Sequence, residues 1–559
     1  MPQDGTGPWD AMESTATTGA VAVAAALAAA GVARIFGVPG GGSSLDLIAA
    51  AAARGIPFVL ARHETAAVLM AATAAELSGR PGAALVTRGP GLGNAANGVA
   101  HASLDRAPVL LLADGFPGAE RAFANHQWFD QAAMLAPMTK VRAQAVEPTQ
   151  AVGAIAAALL ATAMAAPRGP VLLELTAAAS RGVVAALPAT GLAVAGAAPD
   201  PAGLAVARRV LRSARRPVVV AGLEATDSDA CAALRRLVEA LGCPALVTYK
   251  AKGVVPDAHP LFGGVFTGGA AEAPILTEAD AIVLVGADPV EFIPQPWRYA
   301  APVIELGTAP RMVAYRAPAA ALYGTLAPAL AALAEGARRS DWTADGIAAH
   351  RNAWLDRLAN VSPSPPGGNR GLSPQAVMEQ AQAACRRVGA DPRVAVDAGA
   401  HMFPATTFWQ AARPGDLLIS NGLATMGFAL PAGIAAALHD PVRGAIAFSG
   451  DGGLLMALGE LATATALGVK LVVVVFNDAT LSLIDIKKGG RELPEGALGW
   501  PMAEFAGVMR ALGGLGLTAR TEAQYAEALE QALAAGGPVL IDVLVDPGSY
   551  PAQIAALRG

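Results

Sequence analysis

Residues 449–461 read SGDGGLLMALGEL, a Gly-Asp-Gly-Gly turn set between the apolar run GAIAF (444–448) and a helix-like run. If GAIAF is a strand, the turn lies at its carboxyl end, the edge where open parallel sheets hold their ligands. By itself the turn proves little, because aspartate caps helices and glycine makes tight turns in many structural corners.

The next stretch of chain sharpens the reading. After Gly452 come 24 residues, the helical LLMALGELATATALG and the apolar KLVVVVF, and then Asn477. Two parallel strands joined by one helix present their carboxyl ends side by side, so Asp451 and Asn477 meet at one sheet edge. A carboxylate and an amide oxygen suit magnesium, which takes hard oxygen ligands and bridges to phosphates. Gly452 and Gly453 let backbone amides approach such a phosphate at the helix start. The turn therefore reads as an aspartate that holds a metal, which in turn holds a diphosphate.

Outward from this stretch the same alternation fills the chain. ARIFGV, AALVT, PVLLLAD and PVLLEL are followed by RPVVVAG, CPALVTY, DAIVLVGA and APVIELG, and then by RVAVDAG, DLLIS, GAIAFSG, KLVVVVFN and PVLIDVLV. Continuous apolar strands between helical segments predict parallel sheets covered by helices on both faces. Two stretches rich in Pro, Gly, Ala and Ser, at 183–203 and 360–374, divide the 559 residues into three α/β domains: 1–185, 200–360 and 370–559.

The net charge of −5, without a basic cluster, excludes nucleic acid and anionic membrane surfaces as partners and points to a small molecule. Residues 14–33 are uncharged, but they are mostly Ala and Gly, lack a basic leader and follow Asp4, Asp10 and Glu13. They read as a buried first helix, not a membrane span or signal peptide. Cys231, Cys243 and Cys385 form neither a disulfide framework nor a metal-ligand spacing, which fits the cytoplasm.

Gly-Asp-Gly, a spacer of this length and an asparagine resemble the signature of thiamine diphosphate enzymes. The resemblance implies that Asp451, the Asn477 side chain and the Ala479 carbonyl bind magnesium. Gly450, Gly452, Gly453, Thr480 and Leu481 then lie about the diphosphate. Asp478 stands where many members repeat asparagine, a position not itself a metal ligand. The stretch 59–102 resembles the acetolactate synthase branch and puts Glu64 at the family's catalytic position, bonded to the cofactor's aminopyrimidine ring, where it favours the imino tautomer. On chemistry alone, a glutamate that starts a helix after a strand is most often a solvated first-turn residue stabilised by the helix dipole.

Other segments are similar to the same branch: IFGVPGGGSS (35–44), which contains Pro39; GPGLGNAANG (89–98); and NGLATMGFALPAG (421–433), which places Gly422 by the cofactor and Met426 as the apolar wedge that bends it. DAGAHMF (397–403) puts His401 and Met402 near the cofactor, one residue shorter than the commonest pattern. HQWFDQAAMLAPMTK (126–140) places Gln127 in the substrate pocket, with a surface amide as the alternative, and His63 and Arg88 flank cofactor loops.

Simple decarboxylases of the family carry histidines near the reacting carbon; here Thr87 and Arg88 precede the glycine loop, which favours a carboligase or lyase acting on 2-oxo acids. Biosynthetic acetolactate synthases carry a tryptophan where Ile486 stands, and an arginine segment for flavin where this chain has GADPVEFIPQPW (286–297). Both departures separate it from the housekeeping enzyme and argue against FAD. A simple decarboxylase and a non-catalytic regulatory member remain as alternatives, although the latter would have lost one of Glu64, Asp451 or Asn477. A nicotinamide dehydrogenase fails because VVVAGLEA (218–225) lacks the G-x-G-x-x-G turn. The resemblance further implies a homodimer or homotetramer whose active sites lie between chains.

Overall fold

The computed structural model describes residues 16–118, 123, 125–145, 147, 151–185, 198–310, 316–359 and 371–558. Asp4, Asp10, Glu13 and most of both linker-like stretches lie outside them. Two compact units emerge, Met1–Val194 and Ala195–Gly559.

The first unit holds a six-stranded sheet in the order Phe58–Leu60, Ile35–Val38, Gly82–Val86, Val109–Asp114, Val171–Leu175 and Arg142–Ala145, every pair parallel. Its middle strands Gly82–Val86 and Val109–Asp114 are buried at every residue, as their unbroken apolar sequences predict. The uncharged stretch near the amino terminus forms the helix Gly19–Ala29, with Val23 and Leu27 fully buried. Thr18 caps it by accepting from the Val21 amide at 3.3 Å. Among the described residues no helix is long and apolar enough to cross a membrane, and all three cysteines are free and buried.

The second unit contains two further parallel sheets. The central one runs Phe262–Val265, Ala245–Val247, Pro217–Ala221, Ala281–Val285, Val303–Gly307 and Ala320–Tyr323, the order of a dinucleotide-binding fold. The other runs Leu417–Ile419, Arg393–Val396, Ala445–Gly450, Leu471–Asn477, Val539–Leu544 and Leu515–Ala519. Its order matches that of the first unit's sheet, and it reverses direction between Arg393–Val396 and Ala445–Gly450, the switch point at which such sheets open a crevice. Two buried lysines tie the central layer to the last. Lys252 Nζ donates to Thr406 O at 2.9 Å and to Asp257 at 2.7 Å, and Lys250 Nζ donates to Ile419 O at 3.3 Å.

Within the three six-stranded sheets, the strands that the sequence reading does not mark are Phe58–Leu60, Arg142–Ala145, Phe262–Val265, Ala320–Tyr323 and Leu515–Ala519, each at the edge of its sheet. Edge strands have one neighbour and need less apolar sequence. A second difference concerns LLMALGELATATALG, which forms two helices, Asp451–Ala457 and Glu460–Leu467. Between them the Leu461 and Ala462 amides bond back three residues, to Leu458 and Gly459 at 3.2 and 3.1 Å, tightening the turn into a 3₁₀ step.

Candidate functional site

The third sheet pairs Gly450 with Phe476, so Asp451, just past the end of its strand, stands beside Asn477, the last residue of the neighbouring strand. Asp451 is 3% exposed; its Oδ1 accepts from the Gly452 amide at 2.7 Å and its Oδ2 from the Ala479 amide at 2.6 Å. Burial pushes its carboxyl up to about 7, and the nearby charge of Asp478 adds to the shift. A buried carboxylate beside a second carboxylate is a place that a divalent cation stabilises. Asn477, also 3% exposed, donates through Nδ2 to Ala503 O at 3.0 Å and to Asp542 Oδ1 at 2.9 Å. Its Oδ1 is buried with no hydrogen-bond partner.

Ala479 takes a left-handed backbone, φ 57°, unusual for a residue with a Cβ. Its carbonyl accepts from the Trp500 amide at 3.1 Å, which leaves the second lone pair for another partner. The set therefore fits a hard cation: one carboxylate, one orphaned amide oxygen and one half-used carbonyl. Among the described residues no group of three or more His, Cys, Asp or Glu side chains is arranged to hold a metal.

The surrounding cradle is close-packed. A Cβ on Gly452 would stand 2.9 Å from the Trp500 ring, 3.2 Å from Leu481 and 3.4 Å from Met426 Cε, so Met426 and Leu481 converge on the turn. The Thr480 and Leu481 amides serve the protein itself, donating to Asp478 Oδ1 at 3.2 Å and to Leu498 O at 2.8 Å. His401 is buried against Phe476, ring centroids 5.2 Å apart, and next to Gly450; burial lowers its imidazole to about 4, and its Nε2 has no partner. Met402 packs into the core of the last domain. Gly422 is half-buried in the segment that precedes Met426.

In the first unit Glu64 opens the helix Glu64–Ser78 and is 8% exposed, which removes the solvated first-turn alternative. Its Oε2 accepts from Asn94 Nδ2 at 3.0 Å. His63 is the helix cap, its Nδ1 accepting from the Thr65 amide at 3.1 Å. Pro39 begins the glycine loop; a Cβ on the following Gly40 would stand 2.2 Å from Thr87 Oγ1 and 2.3 Å from Asp114 Oδ2. Arg88 lies over the Phe116 ring, 4.8 Å from its centroid. Gln127 is exposed within this unit and held at φ 61°, its backbone against Gly89.

Several residues that the sequence reading does not single out organise these groups. Asp397, fully buried, accepts from the amides of Ala398, Gly427 and Phe428 and from Ser449 Oγ at 2.9–3.1 Å, pinning the Met426 segment to the turn. Burial raises its carboxyl to about 6. Gln131, 2% exposed, accepts from the Gly89 amide at 2.7 Å and donates to Glu174 at 2.7 Å. Asp397 carries the same signal as Asp451, a polar residue ending an apolar strand. Glu174 and Asp542 interrupt the buried strands PVLLEL and PVLIDVLV, which marks carboxylates that need buried partners. Asn94, Gln131 and Trp500 carry no such signal.

Comparison with known proteins agrees with this geometry. Residues 17–134, 204–333 and 397–543 match, in turn, the N-terminal TPP binding domain, the central domain and the C-terminal TPP binding domain of thiamine pyrophosphate enzymes. Acetolactate synthase of Bacillus subtilis (strain 168) is 30% identical over 546 residues, covering 94% of this chain and 93% of its own. The catabolic acetolactate synthase of Raoultella terrigena is 28% identical over 566 residues, 97% of each chain. A probable 2-ketoarginine decarboxylase of Pseudomonas aeruginosa is 32% identical over 483 residues, 82% of this chain and 81% of its own. With an orphaned oxygen at Asn477 beside a buried Asp451 and relatives along almost its whole length, the chain belongs to the thiamine diphosphate-dependent enzymes, in their acetolactate synthase-like branch.

Proposed function

We propose that this enzyme uses thiamine diphosphate and magnesium to form or cleave carbon–carbon bonds in 2-oxo acids or related acyl donors. The observation that carries the metal is the buried, unpartnered Oδ1 of Asn477 beside Asp451. Asp451, Asn477 and the Ala479 carbonyl would hold magnesium, and the chain around Gly450, Gly452 and Gly453 would take the diphosphate. Met426, Gly422, His401, Thr480 and Leu481 would shape the wall around the cofactor, with Pro39 and Gln127 on the side of Glu64. When bound, thiamine diphosphate supplies a carbon nucleophile and an electron sink for loss of carbon dioxide. Glu64 holds and returns a proton at the aminopyrimidine ring, and Asn94 fixes the direction of its carboxylate.

Ligation is favoured because two of the relatives are named acetolactate synthases. Decarboxylation is the second reading, supported by the relative named a probable 2-ketoarginine decarboxylase. Flavin is not required on this reading: at the central sheet edge the Leu223 and Thr308 amides, donors that a nucleotide phosphate could use, are taken by Glu291 and Glu224 at 3.0 and 2.9 Å. The working form is a cytoplasmic homodimer or homotetramer in which Glu64 of one chain serves Asp451 of another.

Incubating the enzyme with cofactor, magnesium and a panel of 2-oxo acids, acyloins and diketones, read by mass spectrometry, tests the reaction class. A ligated product from two carbonyl compounds supports the first reading, and an aldehyde alone supports the second. Glu64→Gln should keep cofactor binding and slow turnover about 100-fold or more. Wild-type turnover would remove Glu64 from the mechanism. Mixing Glu64→Ala and Asp451→Ala chains under verified subunit exchange should restore about a quarter of the activity if sites are shared. No recovery would place both residues in one chain's site.

A further inference from the structure

The last sheet places Asp542 next to Asn477, one strand over, where Val475 pairs with Asp542 and Asn477 with Leu544. Asp542 is 4% exposed in the otherwise apolar strand Val539–Leu544. Its two oxygens are divided: Oδ1 accepts from Asn477 Nδ2 at 2.9 Å and Oδ2 from the Phe505 amide at 3.1 Å. A charged group in so apolar a strand is costly unless it has a specific task. Packing is not that task, since an aliphatic side chain would fill the position without burying charge.

The task emerges from the chemistry of an amide. A free asparagine can present either its oxygen or its nitrogen to a ligand, and only the oxygen can bind a cation. Both groups beside the Asn477 nitrogen, Ala503 O and Asp542 Oδ1, act as acceptors. They accept the NH₂ end and repel the oxygen end, so Oδ1 is left on the other side, where it is buried and unpartnered. The Phe505 amide in turn locks the carboxylate that makes the choice. We infer that Asp542 is a positioning residue that fixes the Asn477 amide with its oxygen toward the magnesium site. This rests on the proposed metal site, and it makes cation affinity depend on a residue that never touches the cation.

The test is Mn²⁺ binding in the presence of thiamine diphosphate, followed by the electron paramagnetic resonance of free Mn²⁺, with the melting temperature of the metal-free protein measured alongside. Four proteins are compared: wild type, Asp542→Asn, Asp542→Asn combined with Asn477→Asp, and Asp451→Ala. The isosteric Asp542→Asn brings an NH₂ group of its own, so the amide pair can settle with either end of Asn477 inward. Mn²⁺ affinity should fall about 10- to 100-fold, the range for loss of an orienting partner, with the metal-free melting temperature unchanged. Adding Asn477→Asp to Asp542→Asn should recover part of the affinity, because a carboxylate at 477 shows oxygen on both sides and needs no orienting. Unchanged Mn²⁺ affinity in Asp542→Asn, or a melting loss large enough to account for the weaker binding, would overturn the positioning role. Retained Mn²⁺ binding in Asp451→Ala would instead overturn the metal site itself, so the two failures are distinguishable.

Discussion

The central and last sheets of the second unit both end in carboxylates, yet they use them in opposite ways. At the central edge the buried Glu291 accepts from Thr248 Oγ1, the Leu223 amide and the Asp288 amide, and Glu224 accepts from the Thr308 amide and hydroxyl. Every oxygen of that pair is satisfied from within. At the last edge the polar groups are left incomplete: Asn477 Oδ1, His401 Nε2 and Trp500 Nε1 are all buried without partners. Buried polar atoms are nearly always hydrogen-bonded, so a cluster of exceptions marks where something else binds. Glu224 and Glu291 thus close their part of the central edge with protein donors, whereas Asn477, His401 and Trp500 leave the last edge unfinished.

The largest effect that would break this contrast comes from adding one methyl group to each edge. A Cβ on Gly453 would stand 2.2 Å from Asp397 Oδ2, inside the clamp that holds the Met426 segment. Gly453→Ala should therefore abolish measurable thiamine diphosphate binding by calorimetry, a loss of about 100-fold or more if each of the clamp's charged hydrogen bonds is worth its usual 1.5–3 kcal/mol. The matching change at the central edge, Gly222→Ala, meets Ala287 Cα at 2.3 Å and Glu291 Oε2 at 2.6 Å. It should destabilise the fold by about 1–3 kcal/mol, as overpacking does, and leave cofactor affinity unchanged in the folded protein. Lost cofactor affinity in Gly222→Ala would erase the distinction between the two edges.

A smaller effect separates them by pH. Burial raises the Glu291 carboxyl from 4.5 to about 7 despite its three hydrogen bonds. The folded protein then holds this proton more tightly than the unfolded chain, so the stabilisation is full below the unfolded value and falls as pH rises through the folded one. Between pH 5 and 7 the linkage amounts to roughly 2 kcal/mol and flattens above. Glu291→Gln carries no such proton. Relative to wild type, its stability in urea should improve by about that amount from pH 5 to 7, whatever constant offset the amide introduces. A difference independent of pH would show that Glu291 stays ionised throughout.

Legibility in the sequence divides along the same line. The interior strands and the Gly-Asp-Gly-Gly to Asn477 spacing are local patterns, and each lands where its sequence puts it: Asp451 and Asn477 stand side by side at the carboxyl ends of neighbouring strands. Edge strands such as Arg142–Ala145 and Phe262–Val265 escape notice because one-sided pairing does not demand an apolar run. The partners that complete the site are invisible for a different reason. Asn94 lies 30 residues from Glu64, and Asp542 lies 65 from Asn477. Only the sheet order brings them together, and nothing in a local window encodes it.

The smallest predicted effect asks whether a paired group at the last edge behaves like those of the central one. Asp478 lies between two proposed metal ligands, Asn477 and Ala479. Its Oδ1 accepts from the Thr480 amide at 3.2 Å and its Oδ2 from Ser482 Oγ at 2.5 Å, so it organises its own turn and leaves no oxygen over. Asp478→Asn keeps the first bond through the amide oxygen. It keeps the second as well, because a hydroxyl accepts as readily as it donates and can turn to receive the new N–H. Removing the charge also removes a repulsion that Asp451 now feels, which offsets the attraction lost between Asp478 and a cation. Magnesium and cofactor affinity should therefore change by no more than about threefold, less than one ordinary hydrogen bond. A loss of tenfold or more in calorimetry would mean that Asp478 reaches the cation through space or through water, and that satisfied and unsatisfied groups at this edge act together.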